Sequence, residues 1–241
     1  MENPIYIALS RQEALRRQLD VVSNNVANMN TPGFKQQRML FLEYLSKPAP
    51  APAPKLSMVQ DYGVMRDTRP GPISHTANQL DLALQGDGYF AVETIDGQRY
   101  TRVGRFQLNN DRQIVDANGL PLLDDGDRPI TVPQNAGRIT IAGDGAISTE
   151  QGQLGQLKLV RFERDQYLDE LGGGLYATNE PALPAEDARV VQGAVEDSNV
   201  QPVVEMTQMM EIMRQYQSNQ RLIETEHERQ RNAITKLARL S

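Results

Sequence analysis

The sequence predicts an α+β fold: long N- and C-terminal coiled-coil-type helices, paired at one end, with an antiparallel all-β domain inserted between them. Three observations carry this. A 3,4-spaced apolar seam occupies the first 29 residues, the same spacing returns from Val203 to the C-terminus, and short alternating segments separated by Gly, Asn and Asp fill the middle.

The first helix is expected over residues 4–29. Pro4 suits a first helical turn. Ile5, Gln12, Leu19 and Val26 form one column of the seam, and Ala8, Leu15, Val22 and Met29 form the other. At 1.5 Å per residue the helix spans about 40 Å. It then runs into Asn24, Asn25, Asn28 and Asn30 and stops at Thr31-Pro32-Gly33. Asparagine amides compete for backbone groups, so this run is either a polar helix cap or a set of hydrogen-bonding groups for a neighbour. Thr31 precedes proline and is pushed out of the helical region, while Pro32-Gly33 suits the centre of a type II turn.

Residues 36–79 read as an extended connector. Its first part, 36–47, is apolar-rich and fits a helical turn or a strand. Pro48 to Pro54 alternates Pro and Ala, which favours a stiff polyproline II spacer. The β domain is expected over 80–183. It opens with Leu80, Leu82 and Leu84 at period two, turns at Gly86-Asp87-Gly88, and turns again at Asp96-Gly97. Residues 184–202 read as a return connector, and 203–241 as the second helix. Its seam is expected at Met206, Met213, Gln220, His227 and Ile234, with Met209, Tyr216, Ile223, Gln230 and Leu237 as the second column. Methionine makes the first half adaptable, and the polar positions of the second half can set register or partner. Two narrow seams hide each other only in part, so surplus apolar surface calls for other chains.

Charge and composition narrow the function. The net charge is −6, but the middle carries it, and each end is slightly basic. No Lys/Arg cluster is present, which argues against nucleic acid and against an anionic membrane surface. There are no cysteines, so disulfides and thiolate chemistry are excluded. No apolar run approaches a membrane span, and Arg11, Glu13, Arg16 and Arg17 interrupt any signal-peptide core. If the protein leaves the cytoplasm, the expected route needs no cleaved signal.

Candidate chemistry is thin. Gly86 to Ala91 fits a loose dinucleotide pattern, but a strand follows where a helix is required. Asp124-Asp125-Gly126-Asp127 lacks the twelfth-position Glu of a calcium loop, where Ala136 stands. His75 and His227 have no partner at ligand spacing. No catalytic residue, cofactor or metal is expected. Two rival readings are an adhesin-like β module with a coiled-coil oligomerisation region, disfavoured by the absence of tryptophan, and a hydrolase using Asp124, Asp125 or Asp127.

Three blocks carry a resemblance. LSRQEALRRQLDVVSNNVANMNTPGFK (9–35) contains N-N-x-A-N-x-x-T-x-G-F-K. LDLALQGDGYFAV (80–92), with the stretch from Arg99 to Leu123, forms the second, and GAVEDSNVQPVVEMTQMMEIMRQYQSNQRLI (193–223) the third. Together they resemble the bacterial flagellar rod and hook family, with length and opening residues nearest the proximal rod members and the distal rod members as the alternative. The resemblance implies a structural, non-enzymatic subunit of the periplasm-spanning rod, exported by the flagellar type III apparatus. Implied partners are proximal rod neighbours, the distal rod protein FlgG and that export apparatus, with neither nucleic acid nor membrane insertion. It implies an inner tube of terminal helices with the β domain outside and termini that order on assembly. The implied contact residues on the first helix are Leu15, Leu19, Val22, Asn24, Asn25, Val26 and Asn28. On the second they are Met206, Met209, Met213, Tyr216, Ile223, Ile234 and Leu237. Pro32-Gly33 is read as the exit from the tube toward the outer domain.

Overall fold

A computed structural model describes residues 3–46 and 56–238. The alternating Pro-Ala spacer at 48–54 lies outside them. The chain divides into two compact units. One comprises residues 1–27, 37–67 and 201–241, the other residues 28–36 and 68–200.

In the first unit, helix α1 (Asn3–Ala27) packs against helix α2 (Pro202–Ala238). Pro202 opens α2, where its missing N–H costs nothing, and Glu205 N–H makes the first bond back to Gln201 O at 3.1 Å. Strands β1 (Gln37–Ser46) and β2 (Leu56–Arg66) form an antiparallel hairpin in register from Gln37↔Arg66 to Ser46↔Leu56. The register shifts between Leu40 and Phe41, opposite Gly63, whose φ of 149° needs glycine. The stretch expected to be a connector is thus largely a paired ribbon, because Met39 to Leu42 and Val59 to Met65 are rich in strand formers.

The second unit is antiparallel throughout. Its largest sheet runs Asp169–Gly172, Leu175–Ala177, Gly97–Thr101, Tyr89–Thr94, Leu159–Arg161 and Leu183–Pro184 in spatial order. Leu82, Phe90, Ile114, Leu122 and Ile147 are wholly buried in its main core, with Phe90 and Phe106 edge to face at 5.3 Å. A second cluster joins Tyr89, Tyr100, Phe162 and Tyr176. Two strands fall inside the expected return connector. Arg189–Gln192 pairs with Leu82–Gln85, and Ala194–Glu196 pairs with Ile73–His75. Val190, Ala194 and Val195 are buried, so the return path is core rather than linker.

The residues 28–36 also belong to this β unit. Phe34 N–H bonds Thr31 O at 3.2 Å across Pro32-Gly33, and Gly33 has φ 70°, as the third position of a type II turn requires. Pro32, Gly33, Phe34 and Lys35 are buried. The turn expected to lead out of the helical layer is therefore a built-in part of the β unit.

Candidate functional site

The helix pair is antiparallel, and its contact face reads off three apolar anchors. Leu15, Val22 and Ile212 are buried, with Leu19, Val26, Met209 and Tyr216 packed partly against them. On α1 the expected seam is the observed one: Ala8, Leu15 and Val22 are all under 7% exposed. On α2 the expected column Met209, Tyr216 and Ile223 is observed, and the other column is shifted by one residue. The buried positions are Glu205, Ile212 and Asn219, and with Met209, Tyr216 and Ile223 they keep a 4,3,4,3,4 spacing. Met206 and Met213, expected in the seam, are 44% and 45% exposed. Sequence reasoning chose the methionine column because two of the three positions in the true column are polar.

Those polar positions are bonded rather than merely tolerated. Asn219 Nδ2 donates to Ala8 O at 2.8 Å, a close approach that the small Ala8 side chain permits. Gln12 Nε2 donates to the Tyr216 hydroxyl at 3.1 Å. Glu205 lies in the first turn of α2, where the helix dipole favours a carboxylate, and accepts from Asn25 Nδ2 at 3.0 Å.

Asn25 does more than meet Glu205. Its Oδ1 accepts Gln37 N–H at 2.8 Å and its Nδ2 donates to Gln37 O at 2.8 Å. The carboxamide thus pairs with Gln37 as a neighbouring strand would, and holds the start of β1 to α1. Asn25 is 1% exposed, and these bonds lie within the chain. Asn24, half-buried, donates to Gln37 Oε1 at 3.1 Å, and Asn28 Oδ1 accepts the Thr31 hydroxyl at 3.1 Å. Ile234 and Leu237 fall on α2, with side chains outside the described residues.

Beyond the contact face, Val203, Met206, Met210 and Met213 are all at least 44% exposed. Their 3,4,3 spacing makes a second apolar stripe on α2, separate from the first. A groove of about 590 Å³ runs beside Gln18, Val203, Val204, Thr207 and Ile212.

The β unit holds a charged node that sequence reasoning missed. Glu196, 2% exposed, accepts from Lys35 Nζ at 2.6 Å, Arg102 Nε at 2.6 Å and Gly71 N–H at 2.9 Å. Arg102 also donates to the carbonyls of Gly88, Leu84 and Gly86, and Lys35 donates to Arg69 O at 3.0 Å. Burial pushes the Glu196 carboxyl up, but Arg102 and Lys35 outweigh it and hold it below the usual carboxylate range. In the sequence Glu196 sits in V-E-D-S-N and looks like surface acid. No local spacing links it to Lys35.

Asp124 is a turn residue: its Oδ1 accepts Gly126 N–H at 2.9 Å and Arg128 N–H at 2.8 Å. No described helix is long and apolar enough to cross a membrane.

Comparison with known proteins gives this architecture a family. Residues 5–35 match the flagella basal body rod protein model, 83–149 the D1 domain of the flagellar hook proteins FlgE/F/G, and 191–236 the C-terminal region of the flagellar basal body rod FlgEFG proteins. The chain is 39% identical to the flagellar basal-body rod protein FlgF of Caulobacter vibrioides over 100% of both. It is 33% identical to FlgF of Mesorhizobium japonicum over 92% of each, and 32% identical to the rod protein FlgG of Bacillus subtilis over 95% of this chain and 96% of that one. The chain belongs to the flagellar basal-body rod family and is a structural, non-enzymatic rod protein.

Proposed function

We propose that this chain is a proximal-rod subunit whose terminal helices build a shared inner layer with its neighbours, the distal rod protein FlgG among them. The observation that carries the proposal is the second stripe on α2. Val203, Met206, Met210 and Met213 repeat at seam spacing yet stay exposed in the single chain. A helix with two apolar stripes is built for two partners. One is α1 of the same chain, through Leu15, Leu19, Val22 and Val26. The other is a helix of a neighbouring subunit, which takes Met206 and Met213. Met209, Tyr216 and Ile223 belong to the first contact, and Ile234 and Leu237 continue α2 toward further neighbours. Asn24, Asn25 and Asn28 hold the helix end in the form that those neighbours meet. On this reading the subunit reaches the rod through the flagellar type III export apparatus.

The test is genetic and structural. Deleting the gene is expected to abolish motility and leave basal bodies without a completed rod. Complementation with the wild-type chain restores both, whereas a chain carrying Met206→Asp and Met213→Asp is exported and fails to complete the rod. Complete rods in the deletion strain, or full complementation by the double variant, would overturn the proposal.

A further inference from the structure

We infer that each unit staples its own ends of the connecting chain passes together, through a single asparagine in each. The chain passes between the units four times, at 27/28, 36/37, 67/68 and 200/201. Four independent passes would form a compliant tether, because each peptide link keeps two soft dihedrals. Each unit instead binds its own ends of these passes to one another.

On the β-unit side the staple is Asn199. Its Oδ1 accepts Gln36 N–H at 2.7 Å, its Nδ2 donates to Arg69 O at 2.9 Å, and its own N–H reaches Phe34 O at 3.4 Å. Asn199 lies next to the 200/201 pass, Gln36 borders 36/37, and Arg69 lies just past 67/68. One residue therefore joins three of the four passes. Lys35 Nζ reinforces it by donating to the same Arg69 carbonyl at 3.0 Å.

On the helical side the staple is Asn25. It borders the 27/28 pass, bonds both backbone groups of Gln37 just after 36/37, and donates to Glu205 near 200/201. Arg38 and Asp67, 3.7 Å apart, bring in the remaining pass. Both positions need one group that accepts and donates at once, which a carboxamide supplies and a carboxylate does not. Within each unit the ends of separate passes are then held as one cooperative element.

Sharing has a measurable signature. Passes tied through one residue open together, whereas passes fastened singly open one at a time. Native-state hydrogen exchange on the full chain reads this. In the wild type the amides of Gly33, Gln36 and Gly71 are expected to exchange with one common opening free energy and one denaturant dependence. Asn199→Asp keeps the acceptor for Gln36 N–H and deletes the donor to Arg69 O. The staple predicts that Gly33 and Gln36 nonetheless exchange faster along with Gly71, by roughly three- to tenfold, the loss of one hydrogen bond. Amides in the core strand Tyr89–Thr94 stay unchanged. Distinct opening energies for the three amides in the wild type, or faster exchange confined to Gly71 in the variant, would overturn the inference. The wild-type measurement decides alone if the variant fails to fold.

Discussion

Lys35 Nζ sits 2.6 Å from Glu196 Oε1, across 161 positions of sequence, with both side chains almost wholly out of solvent. Arg102 Nε approaches the other oxygen at 2.6 Å, so one buried carboxylate serves two cations. The imbalance decides which substitution hurts more. Glu196→Gln removes the buried carboxylate that Lys35 and Arg102 both bond, and a cost of about 3–5 kcal/mol is expected. Lys35→Met leaves Arg102 and Glu196 matched, and a smaller cost of about 1–3 kcal/mol follows from the lost charged hydrogen bonds. Urea unfolding of the full chain, followed by far-UV circular dichroism, measures both. A larger loss for Lys35→Met would reverse this account of the node.

The same carboxylate sets an acid limit. Its folded pKa is lowered, because Arg102 and Lys35 outweigh the burial that raises it. The unfolded value is about 4.3. A depressed carboxyl adds stability that is fully present above the unfolded value and is lost as pH falls through the folded one. Asp127, held low by hydrogen bonds from Lys158 and Gln98, and Asp124, held low by Arg128 against its own burial, add to the slope in the same direction. The wild-type urea midpoint is therefore expected to fall below about pH 4. The gap between wild type and Glu196→Gln should close over that range. A gap constant from pH 7 down to pH 2 would remove Glu196 from the acid response.

Two glycines with similar backbones separate conformational strain from steric contact. Gly33 has φ 70° and Gly119 has φ 84°. A Cβ on Gly33 would lie 2.6 Å from the carbonyl carbon and oxygen of Arg102, whereas one on Gly119 meets nothing within 4 Å. Gly119→Ala is expected to cost about 1 kcal/mol, the left-handed penalty alone. Gly33→Ala must also move the backbone at the residue that holds Glu196, so its cost should exceed the Gly119→Ala value by about 2 kcal/mol or more. Equal thermal shifts for the two variants would show that the entry turn is not packed as described.

How much of this was legible follows from where the information lies. The α1 seam could be read directly because Ala8, Leu15 and Val22 are apolar at every step of one period. On α2 only the Met209, Tyr216 and Ile223 column could be read, since Glu205 and Asn219 occupy the other and are satisfied by Asn25 and Ala8, 180 and 211 positions away. Strands from Leu82 to Arg161 were visible through their Gly, Asn and Asp punctuation. Val190 to Glu196 was read as a connector because the one glycine there, Gly193, lies between two strands that pair with different partners. The Thr31–Lys35 turn was recognised as a turn, but its membership in the β unit rests on Glu196, Arg102 and Asn199. Pairings at such separation leave no periodic trace.

The neighbouring positions Ile212 and Met213 separate the two roles of α2. Ile212 is 3% exposed against Leu15 and Val22, and truncation to Ala is expected to cost about 2–5 kcal/mol of helix-pair stability in the isolated chain. Met213 is 45% exposed, so Met213→Ala should stay within about 0.5 kcal/mol of wild type in the same assay. Assembly inverts the order of interest. On the proposed reading Met213 meets a neighbouring subunit, so Met213→Ala should weaken rod completion and slow swarming while leaving the unfolding curve in place. Ile212→Ala should lower stability and motility together. Equal unfolding midpoints for the two variants would place both residues on one face of α2, and normal swarming by Met213→Ala would take the exposed stripe out of the rod contact.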